Sequence, residues 1–418
     1  MKILPWLLLV ILASGGCAGV TPMKEIPDVL LGEASFFPTI AAHTDAPIFG
    51  GNRVELLFNG DETFPAMLKA IRGAAKSVTY LQYLYQDGAI AYEFAEALAE
   101  RCRAGVEVRI LIDSHGGSKM PADIPELWKQ SGCGFEWFRR IRLFQFITPW
   151  ELLRYNYRNH RRVLVIDGKI GFTGGHGVSE AWTGDGLTDD HWRDTDARVE
   201  GPIVHQLQAA FVESWREVTG NLLGGDLYFP SLQPAGKVYA QVVKSSPWGG
   251  SYETYILFLM SIRAARKSIL FSNPYFLPDE RMQEELLGAV KRGVRVVALL
   301  PGKIDHKLVY WASRSGFGPL LLGGIEIHEY QAALLHAKTM VVDGIWATVG
   351  STNLDNRSFA LNEEINLIVY DAALAARLEK TFYEDLKYSK KLTYEAWNAR
   401  PLKEKILELL TIPIKEQL

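Results

Sequence analysis

The chain has 418 residues, of which 48% are hydrophobic, so it is long and apolar enough for two or three domains with a substantial core. This composition excludes a disordered or fibrous protein. The formal net charge of −3 gives no strong overall field, and a nucleic-acid partner is not expected because it would need a local basic patch.

The N-terminus has the pattern of a secretory signal. Lys2 precedes an apolar run that is too short to span a membrane comfortably. The sequence ASGGC at residues 13–17 resembles a bacterial lipoprotein processing site, in which Cys17 is lipidated; simple cleavage and an uncleaved anchor are the alternatives. We therefore assign residues 1–17 to the signal and residues 18–50 to an N-terminal extension. All three alternatives place the folded part on the periplasmic side of a bacterial membrane.

The rest of the chain contains an internal duplication. Residues 67–113 and 259–300 have similar sequences, with the same order of apolar and basic positions. We therefore divide the chain into a first half at residues 51–225 and a second half at residues 226–418, which ends in a helical tail.

Each half alternates predicted strands with amphipathic helices. In chain order, we expect strands at residues 54–58, 77–83, 106–112, 238–243, 268–272 and 294–300, and helices at residues 64–75, 89–103, 252–265 and 279–292. This alternation indicates the α/β class, with helices covering a mostly β core.

A histidine motif occurs once in each half at the same spacing. A cation follows each histidine by two residues, an aspartate follows the cation by five, and small residues follow further on. Apolar residues between the cation and the aspartate predict a buried strand, so that the histidine and the cation point to one side. The motif residues are His160, Arg162 and Asp167 with Gly174-Gly175, and His336, Lys338 and Asp343 with Gly350-Ser351.

These residue types suit cleavage of a phosphodiester. A neutral imidazole can attack phosphorus while a protonated one delivers a proton to the leaving alcohol. We expect Arg162 and Lys338 to hold the phosphate oxygens, with Ser351 and Asn353 helping and the backbone amides at the small residues close to the anion.

Carboxylates complete the set of candidate catalytic residues. Asp194 and Glu364 lie downstream of the two motifs and are candidates to orient an imidazole. Asp167 and Asp343 belong to the motifs, but their position at strand ends favours structural support over proton transfer.

Other features leave alternatives open. Cys102 and Cys133 either form a disulfide or remain partly buried thiols, and no Cys/His spacing typical of zinc is present. Residues 143–155 are aromatic and apolar and follow three arginines, which fits either a lip at the bilayer interface or a packed insertion. His115 and His306 follow matching strands and are not assigned to the site.

The two motifs resemble those of the phospholipase D superfamily. The doubled pattern HxKxxxxD with GGxN or GSxN corresponds here to HRRVLVIDGKIGFTGGHG and HAKTMVVDGIWATVGSTN. The flanking WRDTDARVEGP and GSTNLDNRSFALNEEINL are similar to those of bacterial cardiolipin synthases, and the resemblance runs from about residue 50 to the C-terminus.

The resemblance implies a fold and a mechanism. It implies two α/β/α sandwich halves packed about a pseudo-two-fold axis, with one active site at their interface and no metal or cofactor. By position, His160 would be the nucleophile oriented by Asp194, and His336 the general acid and base oriented by Glu364. The implied reaction moves a phosphatidyl group from one phosphatidylglycerol to another at a membrane surface and releases glycerol.

The first motif departs from the family pattern at two positions. Arg162 replaces lysine, and Gly177 replaces asparagine. If these departures reflect a loss of activity, the chain is a non-enzymatic scaffold that binds anionic lipid. A further alternative is a phosphodiesterase with the same histidines that hydrolyses phospholipids or, less favoured, nucleic acid.

Overall fold

The computed structural model of the chain describes residues 23–140 and 154–417. The predicted signal, the lipidation candidate Cys17 and most of the predicted lip at residues 143–155 lie outside the described residues.

The first half begins with a helix that precedes the first strand. Its elements are α1 (Phe36–Thr44), β1 (Phe49–Phe58), α2 (Asn59–Arg72), β2 (Ser77–Gln82), α3 (Ala89–Arg103), β3 (Glu107–Asp113), α4 (Asp123–Gln130), β4 (Gly134–Phe138), β5 (Val163–Ile166), β6 (Ile170–Gly174), a 3₁₀ turn (Glu180–Trp182), β7 (Thr195–Glu200) and α5 (Val204–Thr219).

The second half repeats this order and adds C-terminal helices. Its elements are β8 (Val238–Ser245), a 3₁₀ turn (Pro247–Gly249), α6 (Glu253–Ala264), β9 (Ser268–Ser272), β10 (Phe276–Leu277), α7 (Glu280–Lys291), β11 (Arg295–Pro301), α8 (Lys307–Ser315), α9 (Phe317–Leu322), β12 (Glu326–Tyr330), β13 (Thr339–Val342), β14 (Trp346–Gly350), β15 (Leu354–Asp355), α10 (Asn356–Ala360), β16 (Glu364–Tyr370), α11 (Ala372–Leu386), β17 (Ser389–Leu392), α12 (Tyr394–Asn398), α13 (Leu402–Thr411) and a 3₁₀ helix (Ile412–Gln417).

The predicted strands and helices are present, with shifted ends. Helix α2 begins at Asn59, more than a turn before the predicted start at residue 64. Asp61 and Glu62 in its first turn explain the earlier start, because acidic side chains stabilise the positive end of a helix.

The strand order shows the duplication. Fifteen strands form one sheet in the order β17-β12-β11-β9-β13-β14-β16-β8-β1-β7-β6-β5-β2-β3-β4. From the central β8–β1 pair outwards, each strand of the first half has a counterpart in the second, which adds β17 at its edge. The antiparallel pairing of β1 with β8 places Phe49 opposite Ala240 and joins the two halves.

Apolar packing also joins the halves. One cluster of buried residues combines β1, β7 and α5 of the first half with β8, β14, β16 and α11 of the second. The other faces of the two half-sheets are covered by α2 and α3 and by α6 and α7. The result is the expected α/β fold of two similar sandwich halves.

Of the two alternatives for the cysteines of the first half, the disulfide is the one observed. Cys102 and Cys133 form a disulfide with a Cα–Cα distance of 5.4 Å, which ties the end of α3 to the chain entering β4. Within residues 23–140 and 154–417, no helix has both the length and the hydropathy needed to cross a membrane.

Candidate active site

The two motif histidines meet at the interface of the halves through matching backbone contacts. The amide of His160 donates to the carbonyl oxygen of Glu363 at 2.9 Å, and the amide of His336 donates to that of Arg193 at 2.8 Å. Each histidine is therefore fixed next to the residue that precedes the other half's candidate carboxylate.

These contacts pair each imidazole with a carboxylate of the other half. His160 Nδ1 lies 3.0 Å from Glu364 Oε1, and His336 Nδ1 lies 2.7 Å from Asp194 Oδ2. The expected pairing of His160 with Asp194 and of His336 with Glu364 is wrong. Position along the chain suggested pairs within one half, whereas the backbone bridges between the halves exchange the partners.

The two carboxylates are held by different side chains. Asp194 Oδ2 accepts a hydrogen bond from Trp182 Nε1 at 2.8 Å, and Trp182 also packs edge-on against the His336 ring. Glu364 accepts from the Ser351 hydroxyl and, at 3.3 Å, from Asn362 Nδ2. Sequence reasoning missed Trp182, because it lies outside both motifs.

Ser351 therefore has a different role from the predicted one. Its hydroxyl is fully buried, donates to Glu364 and accepts from the amide of Ile365 at 3.0 Å. Because its hydroxyl already donates and accepts a hydrogen bond within the protein, Ser351 positions the Glu364 carboxylate rather than binding phosphate directly.

The small residues after β6 and β14 also differ from expectation. The Gly175 amide donates to the carbonyl of Thr195, and the Ser351 amide donates to that of Ile365, so neither faces an anion. A Cβ at Gly175 would lie 2.1 Å from Asp194 Oδ1. Glycine is needed at this position because the Asp194 carboxylate occupies the space of a side chain.

The two motif cations lie beside their own histidines and are almost completely buried. Arg162 Nη1 donates to the His160 carbonyl at 3.1 Å, with Nη2 3.3 Å from His160 Nε2. Lys338 Nζ donates to the His336 carbonyl at 2.7 Å and lies 3.0 Å from His336 Nε2. Arg162 is thus placed at the ring nitrogen of His160 that faces away from Glu364, whereas Lys338 Nζ is equally close to both ring nitrogens of His336.

Some polar atoms in this cluster have no hydrogen-bond partner among the described residues. Among them is the buried Arg162 Nε, and the buried Asn353 Oδ1, which follows β14, is likewise unpaired among the described residues. Buried polar groups are normally paired, so the unpaired Arg162 Nε beside the His160 ring indicates a place for a polar ligand.

The motif aspartates lie at the far ends of their strands. Asp167 accepts from the amides of Ala75, Lys76 and Ser77, and Asp343 accepts from the corresponding amides of Arg266, Lys267 and Ser268. Their inclusion among the catalytic residues is therefore corrected. Both aspartates fix the turn before the neighbouring strand, as their strand-end positions suggested.

Burial and positive charge lower the pKa values of the basic groups in the site. Burial, Lys338 and Arg162 outweigh Asp194 and lower the pKa of His336 to about 3. Burial and Arg162 lower the pKa of Lys338 to about 7 against the opposing charges of Asp194 and Glu364. The pKa of His160 is also lowered, mainly by burial. Without a ligand, both imidazoles are therefore neutral, and the cluster favours an incoming anion.

Anion binding should consequently take up protons. Sulfate, whose charge is constant between pH 6 and 8, should raise the pKa values of Lys338 and the histidines, so its affinity should increase as the pH falls. We expect binding at pH 6 to be about tenfold tighter than at pH 8, measured by titration calorimetry. Lys338→Met should flatten this dependence. An affinity that is constant or rises with pH would contradict the assignment of the cluster as the anion site.

Gly177 is packed so closely that the asparagine of the family pattern would require its neighbours to shift. A Cβ there would lie 3.0 Å from Leu84 Cδ2 and 3.2 Å from Trp182 Cζ3. The Trp182 ring thus fills this space in the first half, where it also holds Asp194.

Restoring asparagine should therefore reduce activity. We expect Gly177→Asn to displace Trp182, to destabilise the fold by about 1–3 kcal/mol and to lower turnover by about tenfold. Thermal unfolding and phosphatidyl transfer measure the two effects. Gly177→Ala is the matched control, with a smaller loss in both. Full activity of Gly177→Asn would show that Trp182 is not needed where the structure places it.

Other histidines lie around or away from this cluster. The ring of Tyr83 packs edge-on against His160 at a centroid distance of 4.6 Å. His115 lies 3.4 Å from the hydroxyl of Tyr155, and its pKa is lowered by burial and, among other charges, by His306. His176 is buried against Asp196 and Phe64 in the first half and is structural.

Comparison with known proteins identifies the family. The family model described as "Cardiolipin synthase, PLD-like domain" matches the chain twice, at residues 67–215 and 258–386. The major cardiolipin synthase ClsA of Bacillus subtilis is 35% identical over 366 residues, which are 86% of this chain and 75% of that protein. The chain belongs to the cardiolipin synthase family. Cardiolipin synthase 2 of Staphylococcus epidermidis is 32% identical over 95% of this chain and 80% of its own length.

Solved structures support the fold of this family member. A phosphatidylserine synthase from Haemophilus influenzae superposes with a TM-score of 0.65 at 15% identity and covers 87% of this chain and 95% of that chain. A polyphosphate kinase from Porphyromonas gingivalis superposes with a TM-score of 0.55 at 12% identity, covering 95% of this chain and 57% of that one. At these identities the likeness concerns the fold alone.

Proposed function

We propose that this protein is a phosphatidyl transferase that makes cardiolipin from two molecules of phosphatidylglycerol. The observation that carries the proposal is a single buried cluster in which two histidines, two cations and two carboxylates come from both halves. Each cation lowers the pKa of the other half's histidine, so the four basic groups surround one site. The cardiolipin synthase relatives supply the identity of the substrate.

The first step forms a covalent intermediate. Neutral His160 attacks the phosphorus of the donor through Nε2, while Glu364 holds its Nδ1 proton and stabilises the positive charge that develops on the ring. The bond from phosphorus to the glycerol oxygen breaks, and His336 gives a proton to the departing glycerol. The bound phosphodiester raises the pKa of His336, so this imidazole carries a proton when the substrate is present.

The second step reverses the proton transfer. A hydroxyl of the second phosphatidylglycerol loses its proton to His336 and attacks the phosphorus, and the bond to His160 Nε2 breaks. Arg162 and Lys338 stabilise the phosphate oxygens in both transition states, and we assign Asn353 to assist them. Asp194, held by Trp182, keeps the His336 ring in place.

The cellular setting is part of the proposal. Phospholipid substrates require an association with the membrane, and the N-terminal signal favours the periplasmic side, with Cys17 as the point of lipidation. Residues 51–225 and 226–418 form the two halves of the transferase.

Product analysis tests the proposed reaction. Purified protein incubated with phosphatidylglycerol vesicles should give cardiolipin and glycerol in equal amounts by mass spectrometry. Phosphatidic acid without cardiolipin would instead establish a hydrolase. Unchanged lipid with intact binding would indicate a scaffold, and cleavage of nucleic acid would indicate a nuclease.

A further inference from the structure

The C-terminal helix α13 exposes its apolar residues and buries polar ones. Leu402, Ile406, Leu409 and Leu410 are 72%, 49%, 64% and 67% exposed. Their spacing of four, three and one residues places them on one side of a helix. Glu408 and Thr411 are only 3% and 2% exposed. This orientation is the reverse of that of a helix packed on a protein core.

The buried face of α13 is fixed by specific contacts. Glu408 Oε1 accepts from Arg400 Nε at 2.7 Å, and the Thr411 hydroxyl donates to the Glu408 carbonyl at 2.7 Å. Arg400 also lies over the Trp397 ring at 3.8 Å from its centroid. Because the buried ion pair holds this face inward, the leucines cannot turn inward without leaving Glu408 and Arg400 unpaired.

Helix α13 is connected to the region of the active site through neighbouring helices. It packs against α8, whose first residues Lys307 and Leu308 are exposed. The 3₁₀ helix that follows α13 packs on α10, where Arg357 Nη1 donates to the Gln417 carbonyl at 3.0 Å. Arg357 is near enough to Tyr83 for their charges to interact, and Tyr83 contacts His160. A chain of contacts thus links α13 to the neighbourhood of His160.

Charge and size favour a lipid surface as the occupant of this face. Lys403 is exposed and Lys405 is partly exposed beside the leucines, as in helices that lie at the surface of anionic bilayers. A second copy of the chain is less favoured, because four side chains on one short helix offer much less than the roughly 800 Å² per partner of a stable interface.

We propose that α13 is an interfacial anchor, whose residues Leu402, Ile406, Leu409 and Leu410 enter the surface of an anionic phospholipid bilayer and turn the active-site mouth towards it. This inference rests on the proposed function, since a transferase that acts on phosphatidylglycerol must reach lipid head groups in a bilayer. The anchor is separate from the N-terminal signal and from the catalytic residues.

Fluorescence quenching tests the anchor in the full chain. Leu410→Cys and, as a matched control, Leu222→Cys are prepared in a Cys17→Ser background and labelled with an environment-sensitive dye. Leu222 is 79% exposed and far from α13 in the sequence. On vesicles of phosphatidylglycerol and phosphatidylcholine, spin-labelled lipid should quench the dye at 410 by at least about half and leave the dye at 222 unchanged. An unquenched dye at 410 overturns the proposal, whether or not the N-terminus holds the protein on the vesicle.

Charge substitution separates docking from catalysis. Leu409→Glu/Leu410→Glu should lower transfer on vesicles about tenfold and leave turnover of monomeric short-chain phosphatidylglycerol unchanged, whereas Leu222→Glu should change neither. Equal losses of activity on vesicles and on the monomeric substrate would contradict the anchor. So would a variant that keeps its activity on vesicles but loses a dimer that the wild-type protein forms. Quenching at 410 in a protein that forms no cardiolipin would contradict the proposed reaction and leave the anchor in place.

Discussion

Replacing His160 with alanine is expected to lower cardiolipin formation by at least about 10⁴-fold, because the variant has no nucleophile for the covalent step. The ring it removes is buried, and its Nδ1 is held 3.0 Å from Glu364. Product formation from phosphatidylglycerol vesicles, followed by mass spectrometry, measures the loss.

His205→Ala is the matched control for this variant. His205 lies on α5 and contacts the Pro230 carbonyl at 2.9 Å, outside the site, so its replacement should leave turnover within about twofold. Thermal unfolding of both variants checks that they are folded. Transfer by a folded His160→Ala protein at more than about one-hundredth of the wild-type rate would exclude His160 as the nucleophile.

The second large effect is a kinetic difference between variants of the two carboxylates, Glu364 and Asp194. Glu364→Gln should slow the attack by His160, and Asp194→Asn should slow proton delivery by His336, each lowering transfer by about 10²- to 10⁴-fold. An activated donor, phosphatidyl p-nitrophenol, distinguishes the two effects because its phenolate leaves without needing a proton.

The expected result is a burst of p-nitrophenol from Asp194→Asn at a rate within about threefold of wild type, and a burst from Glu364→Gln that stays slow. Stopped-flow absorbance measures both in a single turnover. His336→Ala should behave like Asp194→Asn. If Asp194→Asn loses the burst while Glu364→Gln keeps it, the carboxylates orient the histidines in the opposite way to the observed contacts.

Much of the fold could be predicted because it depends on local patterns. Alternating apolar runs indicated the strands, and the repeated sequence indicated two equivalent halves, which appear as matching strand orders on either side of β1 and β8. The ends of elements were less predictable. The start of α2 depends on charges near its first turn, whereas the prediction followed its apolar face.

The spacing of residues along the chain predicted the site only in part. The motif histidines and cations could be recognised because they recur at one interval. The carboxylate partners could not be assigned, since the amide contacts of His160 with Glu363 and of His336 with Arg193 form only when the two halves meet. The role of Ser351 could not be predicted for a related reason, because Glu364, which accepts its hydroxyl hydrogen bond, lies on the neighbouring strand β16.

The contact of Trp182 with Asp194 could not be predicted from the sequence motifs. Its indole donor reaches Asp194 because Gly177 leaves room for the ring, and neither residue indicates this contact by itself. Gly177, which replaces the asparagine of the family pattern, therefore takes part in a different way of holding Asp194, the carboxylate that contacts His336.

The covalent intermediate provides the most direct test of the account. The His336→Ala variant should react with phosphatidyl p-nitrophenol and then stall, because no base activates the acceptor hydroxyl. Rapid quenching at alkaline pH, proteolysis and mass spectrometry should locate one phosphatidyl group on His160. A modification on His336 in the wild-type protein, or product formation in the wild type with no adduct on His160 in either protein, would contradict a mechanism in which the first half carries the phosphohistidine.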